Sequence, residues 1–307
     1  MTDDGQFVTK TFTLSRPVLD PALGKFIMAT TPRAQFDVSV IIPAHNEQDY
    51  IDACLVALLA QRGAPPRVEI LVMANACTDA TIKRALTYKK QASAKGWKLR
   101  VLRVPTPGKT DALRCADRAT NGLTLIYLDA DVVCGPEMLA KLHHALTPDR
   151  ALYASGKLQI ASARTWISRA YGRTWGALPF MQSKAVGAGL FAVNRAGRAK
   201  WDEFPNIISD DTFVRLQFTP QDRIEVTETY IWPLVEGFAN LVRVRRRQDA
   251  GVNEIAQLYP HLIAHEAKPK ANFKTLFIRD PVSFLSYCSV KLAVRLGRTD
   301  TKWTRGR

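Results

Sequence analysis

From residue 37 the sequence repeats one pattern four times: a short apolar run rich in β-branched residues, then a segment with apolar residues at helical spacing. The runs are VSVII (38–42), VEILVM (68–73), KLRVLRV (98–104) and LTLIYL (123–128). Runs of this length, closed by proline, glycine or polar clusters, read as buried strands. Between the first two, Ile51, Leu55, Leu58 and Leu59 give residues 47–61 a helical period, ended by Gly63, Pro65 and Pro66. Thr78 or Asp79 is placed to cap a second helix running toward Gly96. A third helix spans about residues 109–120, and Pro136 opens a fourth at a position suited to proline. The alternation predicts an α/β chain with a mainly parallel central sheet flanked by helices. Such sheets bind ligands outside the carboxyl ends of their strands, so the residues after each strand carry the functional information.

Those residues are polar. Pro43-Ala44-His45-Asn46-Glu47 follows the first strand and Ala74-Asn75-Ala76-Cys77-Thr78-Asp79 the second. Pro107-Gly108-Lys109 follows the third, and Asp129-Ala130-Asp131 the fourth. Each set alone has a plain structural use as a helix cap; four on one edge point to a ligand site. Two carboxylates one residue apart at the end of a buried strand concentrate negative charge where it is costly. A divalent cation with its phosphate ligands would compensate. Mg²⁺ and Mn²⁺ take oxygen ligands and need only one or two carboxylates when phosphates complete the shell.

Farther along, AVGAGLFAVN (185–194) joins glycines to an apolar strand, where small residues serve either close backbone approach to a ligand or tight packing. Asp210-Asp211 precedes Phe213, Val214, Leu216 and Phe218, an apolar run that anchors a short helix. A carboxylate there suits removal of a proton from a hydroxyl nucleophile, or simply caps the helix. RVRRRQDAG (243–251) sets Arg243, Arg246 and Arg247 at helical spacing, either as a diphosphate clamp or as a solvated basic face. His261 and His265 stand four apart without a third ligand and are set aside as structural.

Composition removes several classes. The chain carries 43 Lys and Arg against 28 Asp and Glu, a net charge of +15, of which +9 falls in residues 241–307. The excess favours acidic partners, but basic residues are not interleaved with a stacking-aromatic motif and carboxylates line the predicted cleft, which argues against nucleic acid. Five scattered cysteines with no C-x-x-C spacing exclude a disulfide framework or zinc site and fit a reducing compartment. The acidic first residues lack the apolar segment of a signal peptide. No stretch reaches the ~20 apolar residues a spanning helix needs. A cytoplasmic protein is expected, peripheral on a membrane if it meets one. Residues 277–296 mix apolar and basic side chains; docking on the main domain, pairing with a second copy and lying on an anionic membrane surface all remain open.

The ordered segments VSVIIPAHNE (38–47), NACTDAT (75–81), GKTDAL (108–113), LIYLDAD (125–131), GAGLFAVNR (187–195) and SDDTFVRL (209–216) resemble the family 2 glycosyltransferases, which have a GT-A fold. The resemblance covers roughly residues 37–250. Residues 1–36, which lack clear periodicity and contain Pro17, Pro21 and Pro32, read as an N-terminal extended arm or partner-wrapping segment, and the resemblance implies a single GT-A domain over 37–250. That domain would have a nucleotide-binding half (37–131) and a mixed acceptor-binding half (132–250), followed by a basic helical tail (251–307). It further implies transfer of a sugar, with inversion, from a nucleotide diphosphate donor (a UDP-sugar favoured) to a saccharide or lipid-linked saccharide. Pro43, Ala44, Asn46, Glu47, Asn75 and Ala130 would line the nucleotide. Asp79 would hold the turn, and Lys109 would reach nucleotide or phosphate. Asp129 would meet ribose or metal, Asp131 would coordinate Mn²⁺ or Mg²⁺, and Asp211, with Asp210 as second choice, would be the base. The chain departs from the family pattern at Ala74-Asn75, where a pair of aspartates is common, and at Gln248, where tryptophan is expected after the arginines. A sugar-activating nucleotidyltransferase would need a glycine-rich phosphate loop after the first strand, where PAHNE stands; a non-catalytic sugar-nucleotide binder is the remaining alternative.

Overall fold

The computed structural model describes residues 17–20, 25–28, 35–266 and 271–297. The chain divides into two units, residues 1–35 and 36–307. In the first, β1 (Pro17–Asp20) pairs antiparallel with β2 (Lys25–Met28); of the arm expected over 1–36, residues 1–16, 21–24 and 29–34 lie outside the described residues.

The second unit is built on an eight-stranded sheet. Its strands are β3 (Phe36–Ala44), β4 (Val68–Asn75), β5 (Lys98–Val104), β6 (Gly122–Leu128), β7 (Val133–Cys134), β8 (Tyr153–Ile160), β9 (Leu190–Asn194) and β10 (Arg223–Trp232), in spatial order β5-β4-β3-β6-β9-β8-β10-β7. The predicted strands all form, and β3, β4, β5 and β6 run parallel. The chain moves outward from β3 to β5 and returns to place β6 on the other side of β3. That reversal opens a crevice at the carboxyl ends of β3 and β6. Beyond β6 the sheet becomes mixed: β9 runs antiparallel to both β6 and β8, while β8 and β10 are parallel.

Helices cover both faces. They are α1 (Ile51–Leu59), α2 (Thr81–Thr87), α3 (Lys89–Ala94), α4 (Lys109–Ala119), α5 (Met138–Ala145), α6 (Trp166–Gly176), α7 (Arg195–Arg198), α8 (Asp210–Leu216), α9 (Phe238–Leu258), α10 (Phe273–Arg279) and α11 (Pro281–Leu296). The two-residue period of β3 sorts the core. Val38, Val40 and Ile42 face Leu55 and Leu58 of α1 and Met138 of α5, whereas Ile41 faces Leu113 of α4 and Tyr127. A third cluster, with Tyr171, Trp175, Leu241, Tyr287 and Val290, seats α11 against α6 and α9.

Several boundaries shift from the sequence reading: the helix expected to run toward Gly96 breaks at Tyr88 into α2 and α3, with Ala80 in place of Thr78 or Asp79 at its N-cap, and the helix expected to open at Pro136 begins at Met138. The first helix starts at Ile51 because the amides just before it are engaged elsewhere: Glu47 N–H donates to Thr81 Oγ1 (2.7 Å) and Gln48 N–H to Asp79 Oδ2 (3.2 Å). The domain end expected at residue 250 falls inside α9, which continues to Leu258. Gly251 sits so close to Ile208 and Ser209 that a Cβ would come within 2.3 Å of the Ser209 hydroxyl, so helix and domain pack as one there.

Candidate active site

The loops after β3 and β4 brace each other. Asn46 adopts φ 55°, a left-handed conformation that asparagine tolerates better than most residues. Its Oδ1 accepts from the Thr78 amide (2.8 Å) and the Asp79 amide (3.3 Å). Asp79 in turn accepts from the Thr81 amide (3.0 Å). Asn75 is buried, its Nδ2 donating to the Thr106 carbonyl (2.6 Å) and its Oδ1 accepting from the Gly108 amide (2.8 Å). Asn46 and Asn75, expected at the nucleotide base, therefore spend amide groups on shaping the crevice wall. Gln48, Thr81 and His45, whose Nδ1 lies 2.7 Å from the Asn75 carbonyl, share this bracing and were not singled out by the sequence. Ala44 and Ala130, expected along the nucleotide, are buried as whole residues and present almost no surface to the crevice.

Charge collects at the crevice. Gly108, at φ 148°, turns the chain into α4 and sets Lys109 at its first position. Lys109 Nζ lies 2.9 Å from Asp129 Oδ1 and 3.1 Å from Asp210 Oδ2, tying the end of β6 to the start of α8. Pro43 and Asp211 line the same small pocket. Burial works against the Lys109 charge, but Asp129, Asp210 and Asp211 outweigh it and hold the ammonium above its ordinary range. Burial pushes the Asp210 carboxyl up to about 6; Lys109 opposes the rise, and Asp211 and Asp129 add to it. On the far side, the buried Cys54 thiol is raised well above normal, by burial first and then by Cys134, Asp131, Asp129 and Glu47. Glu47 and both strand-end aspartates thus share one field.

The arginine run divides. Arg247 of α9 is lowered by its burial while Asp210, Asp129 and Asp211 pull it back up, so its guanidinium feels the three carboxylates. Arg246 donates to the Ala293 carbonyl of α11 (3.0 Å), and Arg243, one turn before Arg247, is exposed. Arg245, not singled out, pairs with Asp249 (2.7 Å). The glycines before β9 serve packing: Gly189, at φ 72°, accepts the Asp129 amide on its carbonyl (2.8 Å), and a Cβ there would lie 2.7 Å from the Trp232 ring. His265 bonds the Leu216 carbonyl (2.7 Å), consistent with a structural part.

Asp129 and Asp131 offer hard carboxylate oxygens, the donor chemistry of Mg²⁺ or Mn²⁺. Among the described residues no group of three or more His, Cys, Asp or Glu is placed to hold an ion. The donor set fits a metal that arrives with phosphate oxygens, not one caged by protein alone.

Residues 39–201 match the family model for glycosyl transferase family 2. The chain is 34% identical over 102 residues to dolichyl-phosphate beta-glucosyltransferase of Drosophila melanogaster, spanning 31% of each protein. It is 26% identical over 129 residues to poly(ribitol-phosphate) beta-glucosyltransferase of Bacillus spizizenii, spanning 41% of this chain and 20% of that one. The matches thus reach about a third and a fifth of those relatives' lengths. Among solved structures, the mannosyltransferase PcManGT of Pyrobaculum calidifontis, in complex with GDP-Man and Mn²⁺, aligns with a TM-score of 0.54 at 19% identity, over 94% of this chain and 80% of that chain. S. aureus TarS 1–349 in complex with UDP gives 0.50 at 13%, over 86% and 92%. At such identities the likeness is one of fold, and it agrees with the mixed α/β sheet described above. With the family match spanning more than half of its length, the chain belongs to glycosyl transferase family 2.

Proposed function

We propose that this chain transfers a sugar, with inversion, from a nucleotide diphosphate donor to a hydroxyl of a saccharide or lipid-linked saccharide. One observation carries the reading: Asp129, Asp210 and Asp211 converge with Lys109 and Arg247 at the switch point of the sheet, with Asp131 two residues beyond Asp129. The nucleotide lies along the braced loops after β3 and β4, with its diphosphate toward Asp129 and Arg247. Asp129 and Asp131 would hold Mn²⁺ or Mg²⁺ through the phosphates, and the ion would supply positive charge at the leaving group. Asp211 takes the proton of the attacking hydroxyl as that oxygen bonds the anomeric carbon. The bond from that carbon to the diphosphate breaks, and its electron pair leaves on phosphate oxygen beside Arg247. Asp211 suits the base because Asp210 is already engaged by Lys109, whereas Asp211 accepts from its neighbour Thr212 (2.6 Å to the amide) and has no lysine or arginine ion pair among the described residues. UDP is the favoured nucleotide, and relatives named for poly(ribitol-phosphate) and dolichyl-phosphate support an acceptor carried on a polymer or a lipid.

The test is a melting-temperature screen with UDP and GDP, each with and without Mn²⁺, followed by donor turnover. Stabilisation that appears only with nucleotide and metal together supports the reading. No metal-dependent response to either nucleotide overturns it.

A further inference from the structure

The C-terminal helices wear their apolar side outward. α11 turns Ser283, Ser286, Tyr287 and Val290 toward the protein and Val282, Leu285, Ser289, Leu292 and Leu296 toward solvent. Those outward positions recur at three- and four-residue spacing, so they form one stripe. Leu285 is 59%, Leu292 58% and Leu296 80% exposed. A surface helix normally shows the reverse arrangement, with serines out and leucines in. α10 extends the stripe: Phe273 and Phe277 pack on Phe284 of α11 with ring centroids 6.1 and 5.8 Å apart, and Ile278 is 70% exposed. The inward side is firmly held. Arg173 bridges to Asp280 (2.9 Å), Lys291 to Asp249 (2.9 Å), and the Tyr287 ring stacks on Tyr171 at 5.5 Å. The outward stripe is therefore a finished surface of a docked helix pair. Contiguous exposed apolar surface of this kind marks an interaction site.

Charge selects the occupant. Residues 271–307 carry eight Lys and Arg against two Asp. Lys274, Arg279 and Arg295 are exposed beside the apolar positions. A second copy meeting this face about a twofold axis would bring like charges together. Nucleic acid would leave the leucine stripe without an apolar partner. An anionic lipid surface satisfies both parts, with leucine and phenylalanine at the acyl boundary and lysine and arginine among the headgroups. We infer that the outward face of α10 and α11 docks the protein on an anionic membrane surface. The inference stands apart from the reading of the nucleotide site, since none of these residues lines it.

Sedimentation of the full chain with vesicles tests it, using phosphatidylcholine alone and phosphatidylcholine mixed with phosphatidylglycerol, at low and high salt. Binding is expected only to the anionic vesicles, at least about tenfold above the neutral ones, and weakened by salt. The triple variant Leu285→Ser, Leu292→Ser, Leu296→Ser loses at least about tenfold in partition. The variant Lys274→Ser, Arg279→Ser loses about fivefold per charge removed. Melting temperature and nucleotide binding are unchanged in both, which separates this result from failure of the nucleotide site. Absence of vesicle binding at low salt, or binding by both variants equal to that of the wild type, overturns the inference. So does a concentration-dependent dimer that the leucine variant abolishes in a protein that ignores vesicles, because the face would then belong to a second copy.

Discussion

Replacing Lys109 with methionine removes the ammonium that sits between Asp129 and Asp210 while keeping a side chain of similar length. The Asp210 side chain is 6% exposed, and those of Lys109 and Asp129 are 27% and 32%. Stripping one partner from a buried ion pair costs about 3–5 kcal/mol. The Asp129 contact is partly solvated and contributes less than about 1 kcal/mol. Because Lys109 itself keeps some solvent, the expected loss in Lys109→Met is about 2–4 kcal/mol, or roughly 5–12 °C in melting temperature. Asp210→Asn removes the buried charge and leaves Lys109 its Asp129 partner, so its cost is under about 1 kcal/mol. The double variant then recovers most of the loss, giving a coupling of about 2 kcal/mol. The pH dependence has a definite sign. In wild type the Asp210 carboxyl is raised to about 6; without Lys109, burial raises it further. The gap between wild type and Lys109→Met is therefore largest at alkaline pH and narrows as pH falls toward about 6, where the carboxyl takes its proton in both. Urea melts at several pH values measure this. A Lys109→Met cost below about 1 kcal/mol, or no recovery in the double variant, refutes the claim that Lys109 neutralises a buried Asp210.

Asp211→Asn should keep nucleotide-dependent stabilisation and lose at least about a hundredfold in transfer rate, read as kcat at saturating donor; Asp210→Asn should lose less if Asp211 is the base. Arg247→Gln should lower transfer by about a hundredfold, whereas Arg243→Gln should change it by less than about twofold, because Arg247 is held in the field of the site carboxylates and Arg243 is exposed. Gly189→Ala should destabilise by about 2–4 kcal/mol in urea melts, since a Cβ meets Trp232 and Val132 at a φ of 72°. The Asp280 carboxyl is held down to about 2, by Ser283 first and then Arg173. Its anchoring of α11 should be complete above the ordinary value of about 3.9 and disappear as pH falls through about 2. Hydrogen exchange in α11 of Asp280→Asn against wild type should show that difference close at acid pH.

The parallel half of the sheet was legible because each strand is a continuous apolar run with a turn signal, and the switch-point rule then named the crevice. Asp129, Asp210 and Lys109 were legible as separate candidates. Their ion pairing was not, because Lys109 lies 20 residues from Asp129 and 101 from Asp210, separations that no local period records. The same limit explains the arginines. Spacing puts Arg243 and Arg247 on one face of α9, but the neighbours at each turn decide which meets the carboxylates. Asn75 reads as a base contact by its place at the end of β4, yet the loop that absorbs its amide lies after β5. The unusual side of α11 was written in the sequence as serines and leucines a few residues apart, and only docking showed which set faces inward.

The antiparallel β9 has a consequence for how such a chain can be made. β6 lies between β3 and β9, and the amide of Asp129 is held by the Gly189 carbonyl, 60 residues later. A growing chain that has emerged only as far as residue 131 presents β6 as a bare edge, with unpaired backbone groups along an apolar strand. That edge is covered once β9 emerges, so the interval from residue 131 to 194 is when the nascent protein is most exposed to wrong pairing. The residues expected to hold the nucleotide and those expected to act on the acceptor are thus not separable pieces. Cutting between them leaves a sticky sheet in place of a binding domain.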